Sequence, residues 1–373
     1  MTAETVLQET GLQFTYESHT PRVVFGAGSF QKAPEEIERL GATRVFLMAT
    51  PGRKKLAEDL AARLGDKVAA ITGGAAMHAP IESVAPARAK AEQVKADCYV
   101  AIGGGSAIGL AKAIAMVAPR PILCIPTTYS GSEMTATWGL TEAGNKRTGI
   151  DPGVLAKTVI YDPDLTLSMP AVLSATSGMN AMAHCVEALY AKNPNPILSL
   201  IAEEGIRALG KGLPAVVKEP SNLGARSFAL YGAWLAGVAL GAAGTALHHK
   251  LCHVLGGAFN LPHAETHTVL LPHATAYNAP AAPEAMQRIA RALNASAENG
   301  GGKSAAQGIY DLEAGMGAPQ SLKRLGMEHD DIAQATELAV KNPYYNPRAI
   351  TQEGIRVLLE DAYEGRPPRV WTV

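Results

Sequence analysis

The sequence predicts an α/β N-terminal domain, a parallel sheet covered by helices, followed by an all-α C-terminal domain. Three observations carry this. Up to about residue 165, short apolar runs alternate with segments of helical periodicity, the pattern of parallel strands joined through helices. From Pro170 onward the periodicity is helical almost throughout. Between one apolar run and the helix after it stands Gly103-Gly104-Gly105-Ser106, a turn whose backbone can approach a bound phosphate closely.

The runs Arg22–Phe25, Val45–Ala49, 68–71, 98–102 and 122–125 read as strands. Residues 30–40, 56–64, 81–94 and 106–117 read as the helices between them. In such a sheet, function gathers at the carboxyl ends of the strands. The glycine turn is one such end, and the helix it opens carries Lys112. It is neither GxGxxG nor a P-loop, which needs Gly-Lys-Ser/Thr, and on its own it is equally a tight connection. A second end is Pro126-Thr127-Thr128-Tyr129-Ser130-Gly131-Ser132-Glu133, rich in hydroxyls, where Ser130 or Ser132 also serves as a helix cap. The third is Thr50-Pro51-Gly52. An acidic residue at an early strand end often binds the adenosine ribose of NAD, so a neutral end leaves room for the extra phosphate of NADP. Beyond Thr135, residues 146–148 and Thr158–Tyr161 read as short strands around turns. The boundary between domains 1–165 and 166–373 falls near Leu165.

In the second half, residues 171–191, 197–217, 225–255, 285–295 and 332–340 read as helices. The Gly-rich run 299–302 is a short loop, and the stretch 342–348, with Tyr344, Tyr345 and Arg348, reads as a turn. Six of the ten histidines lie between His248 and His273. His249 and His253 are four apart and share a helix face. Gly256-Gly257 is expected to end or bend that helix, Pro262-His263 opens the next segment, and Leu271-Pro272-His273 lies one short helix further on. Earlier in the domain, Asn180 and His184 are also four apart. If the two faces meet, several polar groups converge. A metal site, a proton-handling site and a set of buried, hydrogen-bonded histidines all remain open on these residues alone.

Composition narrows the function classes. At 373 residues, with 47% hydrophobic and 18% charged residues, the chain has the make-up of a soluble enzyme. The net charge is -1 and there is no Lys/Arg run, which argues against nucleic-acid binding. Cys98, Cys124, Cys185 and Cys252 lie far apart with no CxxC pair, as expected of reduced thiols in a cytoplasmic protein. The N-terminus carries no export pattern. Residues 228–247 lack charge, but their Ala/Gly-rich make-up fits a buried helix better than a membrane span.

Taken together, Gly103-Gly104-Gly105-Ser106 with Lys112, Pro126-Thr127-Thr128 with Gly131-Ser132-Glu133, the Asn180/His184 helix, and His249/His253/His263 resemble the iron-containing (group III) alcohol dehydrogenases. That superfamily includes glycerol dehydrogenase and dehydroquinate synthase. The resemblance runs over nearly the whole chain in the same motif order. It implies a Rossmann-like nucleotide domain, a helical domain as in dehydroquinate synthase, NAD(P) in the cleft between them, and commonly a homodimer. Metal-using members hold their ion with an Asp and three His. The three His match His184, His249 and His263, whereas Asn180 stands at the Asp position, and Asn is a poor ligand for a transition metal. The Gly-Gly-Gly-Ser-x-x-Asp pattern of those members also lacks its acid here, at Gly109. Both departures, with His248-His249-Lys250-Leu251-Cys252-His253 and Pro262-His263-Ala264-Glu265-Thr266-His267, resemble the maleylacetate reductase branch, which is metal-independent.

That branch implies an oxidoreductase that uses NADH or NADPH to reduce the carbon–carbon double bond of maleylacetate, giving 3-oxoadipate, in aromatic-compound degradation. The substrate is a small dicarboxylate, and no metal, nucleic acid or membrane partner is expected. An alkene conjugated to a ketone passes its charge to an enolate, which hydrogen-bond donors can stabilise without a Lewis acid. His253 is then the leading proton donor or enolate stabiliser. His184, His249 and His263 are expected to bind carboxylates and oxyanion, with Lys250 a weaker candidate, and Asn180 to orient substrate or a histidine. Thr50, Pro51, Gly103, Gly104, Gly105, Ser106, Thr127, Thr128, Ser130 and Ser132 are the expected cofactor contacts. The rivals are a metal-dependent alcohol or polyol dehydrogenase, a lyase resembling dehydroquinate synthase, and a non-catalytic nucleotide binder.

Overall fold

The structure, a computed structural model, describes residues 14–16, 21–76, 79–142, 145–294, 303–341 and 344–372. The glycine run 299–302, residues 342 and 343 of the C-terminal turn and the extreme N-terminus lie outside these.

Six parallel strands form the first layer: β1 (Arg22–Phe25), β2 (Val45–Ala49), β3 (Val68–Thr72), β4 (Cys98–Gly103), β5 (Ile122–Pro126) and β8 (Thr158–Tyr161), in the order β1-β8-β5-β4-β2-β3. The central strands are apolar because both of their faces are covered. Along β4, Cys98, Val100 and Ile102 pack into one core with β2 and the helices α1 (Ala33–Arg39) and α2 (Lys54–Leu64). Tyr99 and Ala101 point to the other core, under α3 (Ile81–Gln93) and α4 (Gly105–Ala115). A hairpin of β6 (Thr137–Glu142) and β7 (Asn145–Ile150) lies outside the sheet. Its first strand was not anticipated, because Gly139 and the polar residues around it interrupt any apolar run.

The second layer is helical: α5 (Ala171–Ala188), α6 (Pro196–Lys218), α7 (Leu223–Ala243), α8 (Leu247–Phe259), α9 (His263–Asn278), α10 (Pro283–Asn294), α11 (Ala305–Gly315), α12 (Asp331–Lys341) and α13 (Gln352–Glu364). Three expectations need correction. The helix expected over 225–255 is two helices, broken at Gly244, whose φ of +74° lies outside the right-handed helical region. The pair Gly256-Gly257 does not end α8. Helix glycines cost only about 1 kcal/mol each, and the helix runs on to Asn260, which takes the left-handed conformation just before Pro262. The stretch from Pro262 is one long helix, with Pro272 inside it, rather than a short one. Helix α7 is long and apolar enough to cross a membrane, but over half of its apolar window is buried, packed beside α5 and α6 in the shared core.

Candidate active site

The chain order of the sheet reverses between β2 and β4, and carboxyl ends of strands leave an open crevice at such a switch point. Thr50 and Pro51 follow β2, and Gly103–Ser106 close β4 and open α4. A Cβ added at Gly103 would lie 3.1 Å from the Thr50 side chain, one at Gly104 2.8 Å from Thr128 Oγ1, and one at Gly105 3.7 Å from Ser130. The Thr127 amide donates to the Gly103 carbonyl at 3.0 Å. The strand ends singled out from the sequence therefore meet, in a cradle that a side chain would fill, at the N-terminus of a helix. That arrangement fits the pyrophosphate of a dinucleotide. Arg53, not singled out from the sequence, spans the same ends. Its Nε donates to Thr127 Oγ1 (3.1 Å) and its Nη1 to Ser168 Oγ (2.6 Å), and burial lowers its pKa.

Lys112 lies one layer beneath. Its Nζ donates to the carbonyls of Ser132 (2.7 Å), Thr135 (2.7 Å) and Thr137 (2.8 Å) and to Thr135 Oγ1 (3.0 Å). Burial pulls this ammonium down to about 8, which leaves it charged at neutral pH. Ser132 turns its hydroxyl toward Lys112 as well, at 3.4 Å. The buried Glu133 accepts from Tyr161 Oη at 2.8 Å, and desolvation raises its pKa.

The loop after β5 also docks on the helical layer. The Tyr129 amide donates to Ser177 Oγ at 3.1 Å, and a Cβ at Gly131 would stand 3.1 Å from Gly237 Cα and 3.4 Å from His184 Nδ1. Gly131 has a φ of +76°, so a side chain is excluded there by conformation as well as by space. Ser177, Asn180 and His184 form one stripe on α5 at i, i+3 and i+7, which places Asn180 between two residues that touch the nucleotide loop.

Helix α8 brings the remaining histidines to this stripe. The His249 ring stacks on His184, with centroids 5.0 Å apart and planes 24° apart. His253, one turn on, lies 6.2 Å from His249 ring to ring and is exposed, as is His263 at the start of α9. Lys250 sets its ammonium 5.5 Å from the centre of the Tyr344 ring. Asn180, His184 and His249 are buried, yet Asn180 Oδ1, His184 Nδ1 and His249 Nε2 find no hydrogen-bond partner among the described residues. Orphaned polar atoms on one face of α5 and on the ring stacked against it suit a ligand's polar groups. Burial, reinforced by the neighbouring histidines, pushes His184 well below the ordinary imidazole value, so it rests neutral at pH 7.

Two further residues complete the cluster. Glu187, one turn beyond His184, accepts from His249 Nδ1 at 2.6 Å. His267 contacts His249 (4.8 Å between centroids) and His263 (4.4 Å), and its Nδ1 lies 2.9 Å from His248 Nε2. The four-residue spacing of His263 and His267 was a signal for the second of these. Nothing local in the sequence pairs Glu187 with His249, which is 62 positions away.

Two family models match the chain, iron-containing alcohol dehydrogenase over residues 20–163 and the Fe-containing alcohol dehydrogenase family, C-terminal, over residues 174–363. The chain belongs to the iron-containing alcohol dehydrogenase family. It is 54% identical to a maleylacetate reductase from Sphingobium indicum, over 96% of this chain and 99% of that protein. Among solved structures it is similar to a putative alcohol dehydrogenase from Ralstonia eutropha (56% identity, TM-score 0.93, 96% of this chain and 100% of that one). It is also similar to a maleylacetate reductase from Agrobacterium tumefaciens (48% identity, TM-score 0.91, 96% and 100%).

The resemblance sets Asn180, His184, His249 and His263 as the expected counterparts of the metal ligands of metal-using members. Among the described residues, the one trio of His, Cys, Asp or Glu donor atoms within 4.8 Å of one another is His248, Cys252 and His267. The matching histidines thus do not gather into such a shell, and Asn180 adds only a neutral oxygen, so these residues do not fit a metal held in the family's manner. The trio that does gather is closed on itself. Its two imidazoles are already joined, burial holds both well below their ordinary value, and burial raises the Cys252 thiol.

Proposed function

We propose that this chain catalyses NADH- or NADPH-dependent reduction of the carbon–carbon double bond of maleylacetate to 3-oxoadipate, a step in aromatic-compound degradation, without a metal. The observation that carries the reading is that Asn180 Oδ1, His184 Nδ1 and His249 Nε2, on one face of α5 and on the ring stacked against it, are buried with no partner among the described residues, beside the loop that leads from the glycine cradle. Its agreement with full-length relatives that bear the maleylacetate reductase name supports it.

Thr50, Pro51, Gly103–Ser106, Thr127, Thr128 and Ser130, with Ser132 behind them, would hold the NADH or NADPH dinucleotide, which would supply hydride to the alkene carbon β to the ketone. The electron pair of the double bond then moves onto the ketone oxygen, and the enolate collapses when a proton reaches the α carbon. His253, at the exposed edge of the cluster and in contact with solvent protons, is assigned to donate that proton or stabilise the enolate. His184, His249 and His263 bind the carboxylates and the developing oxyanion through N–H donors. Asn180 orients the substrate between them. Lys250 is assigned to the outer carboxylate, a weaker role given its place over Tyr344. The nucleotide falls to residues 1–165 and the substrate to 166–373, in a cytoplasmic homodimer, whose state light scattering tests.

The deciding experiment follows NADH and NADPH oxidation with maleylacetate, with and without EDTA, alongside metal analysis of protein purified without chelator. Activity indifferent to chelation is expected. Absence of activity with either cofactor would sink the reading, and stoichiometric zinc or iron lost together with activity would transfer it to a metal-dependent dehydrogenase.

A further inference from the structure

We propose that Glu187 is a positioning residue that fixes the ring and the tautomer of His249, so that Nε2 is the nitrogen offered to the substrate. This rests on the assignment of His249 to substrate binding made above.

The carboxylate is itself immobilised. Oε1 accepts from the backbone amides of His248 (2.8 Å) and His249 (3.4 Å), and Oε2 from that of Ala246 (3.0 Å) and from His249 Nδ1 (2.6 Å). Its other partners are all backbone N–H groups, so the carboxylate acts as acceptor, and the His249 nitrogen facing it carries the hydrogen. Both side chains are buried, 1% and 6% exposed, so water does not compete for the bond. The other nitrogen, Nε2, is buried without a partner. The rings around His249 are stacked on it (His184) or edge-on to it (His248, His253, His267), and none of them is hydrogen-bonded to it among the bonds described. A flipped ring would set a carbon against Glu187 and forfeit its one strong bond. A carboxylate behind an imidazole fixes ring orientation and tautomer in this way both in hydrolytic triads and behind metal-bound histidines.

The same carboxylate caps the first turn of α8, so a loss on mutation has two explanations. Acting through His249 and merely holding the helix are separated by a double-mutant cycle. Glu187→Gln, His249→Gln and the double variant are compared in kcat and KM for maleylacetate and in cofactor Kd. Each single variant should lose about 10- to 100-fold in kcat/KM, with cofactor Kd unchanged. The double variant should fall within about twofold of His249→Gln alone. Losses that multiply, or a fully active Glu187→Gln, overturn the proposal. A second measurement needs no substrate. In ¹⁵N-histidine-labelled wild-type protein, the His249 signals, found by their loss in His249→Gln, should report a protonated Nδ1 bonded to an acceptor. A neutral ring protonated only at Nε2 overturns the proposal even if the enzyme reduces maleylacetate. If the wild type fails to reduce maleylacetate while Nδ1 proves protonated, the substrate reading falls and the positioning role stands.

Discussion

Lys112 Nζ donates to the Thr135 carbonyl at 2.7 Å and, in the same position, to the carbonyls of Ser132 and Thr137. A single ammonium thus holds three successive turns of the chain that runs from the nucleotide loop into the hairpin. No carboxylate is hydrogen-bonded to it, so carbonyl dipoles solvate the charge. Of these acceptors Thr135 is buried, Ser132 is half-buried and keeps the Thr135 amide and hydroxyl as donors, and Thr137 is exposed, so replacing Lys112 with Met costs mainly the donor to the Thr135 carbonyl, about 1–3 kcal/mol. Lys112→Met should therefore lower stability by about 1–3 kcal/mol in urea unfolding and weaken NADH binding, since Thr128 and Ser130 ride on the same loop. A loss below about 1 kcal/mol would show that water or another donor satisfies these groups.

How much of this was legible beforehand follows from where each signal resides. Strands β2, β4 and β5 are buried on both faces, so each is a continuous apolar run of strand length, and its C-terminal turn stands out. The meeting of these strand ends at the glycine turn was readable for that reason. The break between α7 and α8 was not. Gly244 permits it, but a long-range carboxylate, Glu187, supplies the acceptors that start α8, and no local pattern encodes that. Helix α13 was not anticipated although Ile355, Leu358, Leu359 and Ala362 repeat at helical spacing, because the proline-containing stretch 342–348 before it reads as turn. In the site, residue types and four-residue spacings gave Asn180, His184, His249 and His253. Which ring nitrogens are bonded and which are orphaned depends on packing between α5, α8 and α9, which sequence spacing does not contain.

The end of β2 makes NADPH permissible beside NADH. Thr50 is neutral and its side chain closes against Gly103. An acid there would favour the free ribose hydroxyls of NADH and repel the extra phosphate of NADPH. Thr50→Asp should lower the NADPH-to-NADH ratio of kcat/KM by about tenfold or more, equivalent to about 1.4 kcal/mol. An unchanged ratio would place the adenosine ribose elsewhere.

His253 is the histidine of α8 that reaches solvent, whereas His249 is closed off behind it. A proton donor must be reloaded after each turnover, and an exposed ring reloads directly from water. His253→Ala should reduce kcat by about 100- to 10,000-fold while leaving NADH affinity intact, as judged by fluorescence titration. Unchanged turnover in a folded variant would remove His253 from the chemistry and shift the role to His263.

Two buried groups away from the glycine cradle predict opposite slopes of stability with pH. In α9, burial pulls His273 down to about 4, against the opposing pull of Asp361. An unfolded histidine titrates near 6.5. Between these values the unfolded chain binds a proton that the native protein refuses, so stability is lost as pH falls through that window, by about 3 kcal/mol in total. In α11, Glu313 is wholly buried, neither carboxyl oxygen finds a partner among the described residues, and desolvation raises its pKa well above the ordinary value. Here the native protein keeps a proton that the unfolded chain releases. Its contribution is complete below about pH 4.5 and is lost as pH rises from there toward the native value. Urea unfolding of wild type, His273→Gln and Glu313→Gln across pH 5 to 9 separates the two. The advantage of His273→Gln over wild type should grow toward pH 5 and that of Glu313→Gln toward pH 9. A difference that does not change with pH, for either variant, would mean that the group it replaces is ionised alike in the folded and unfolded chain, through a water or partner that restores its ordinary titration.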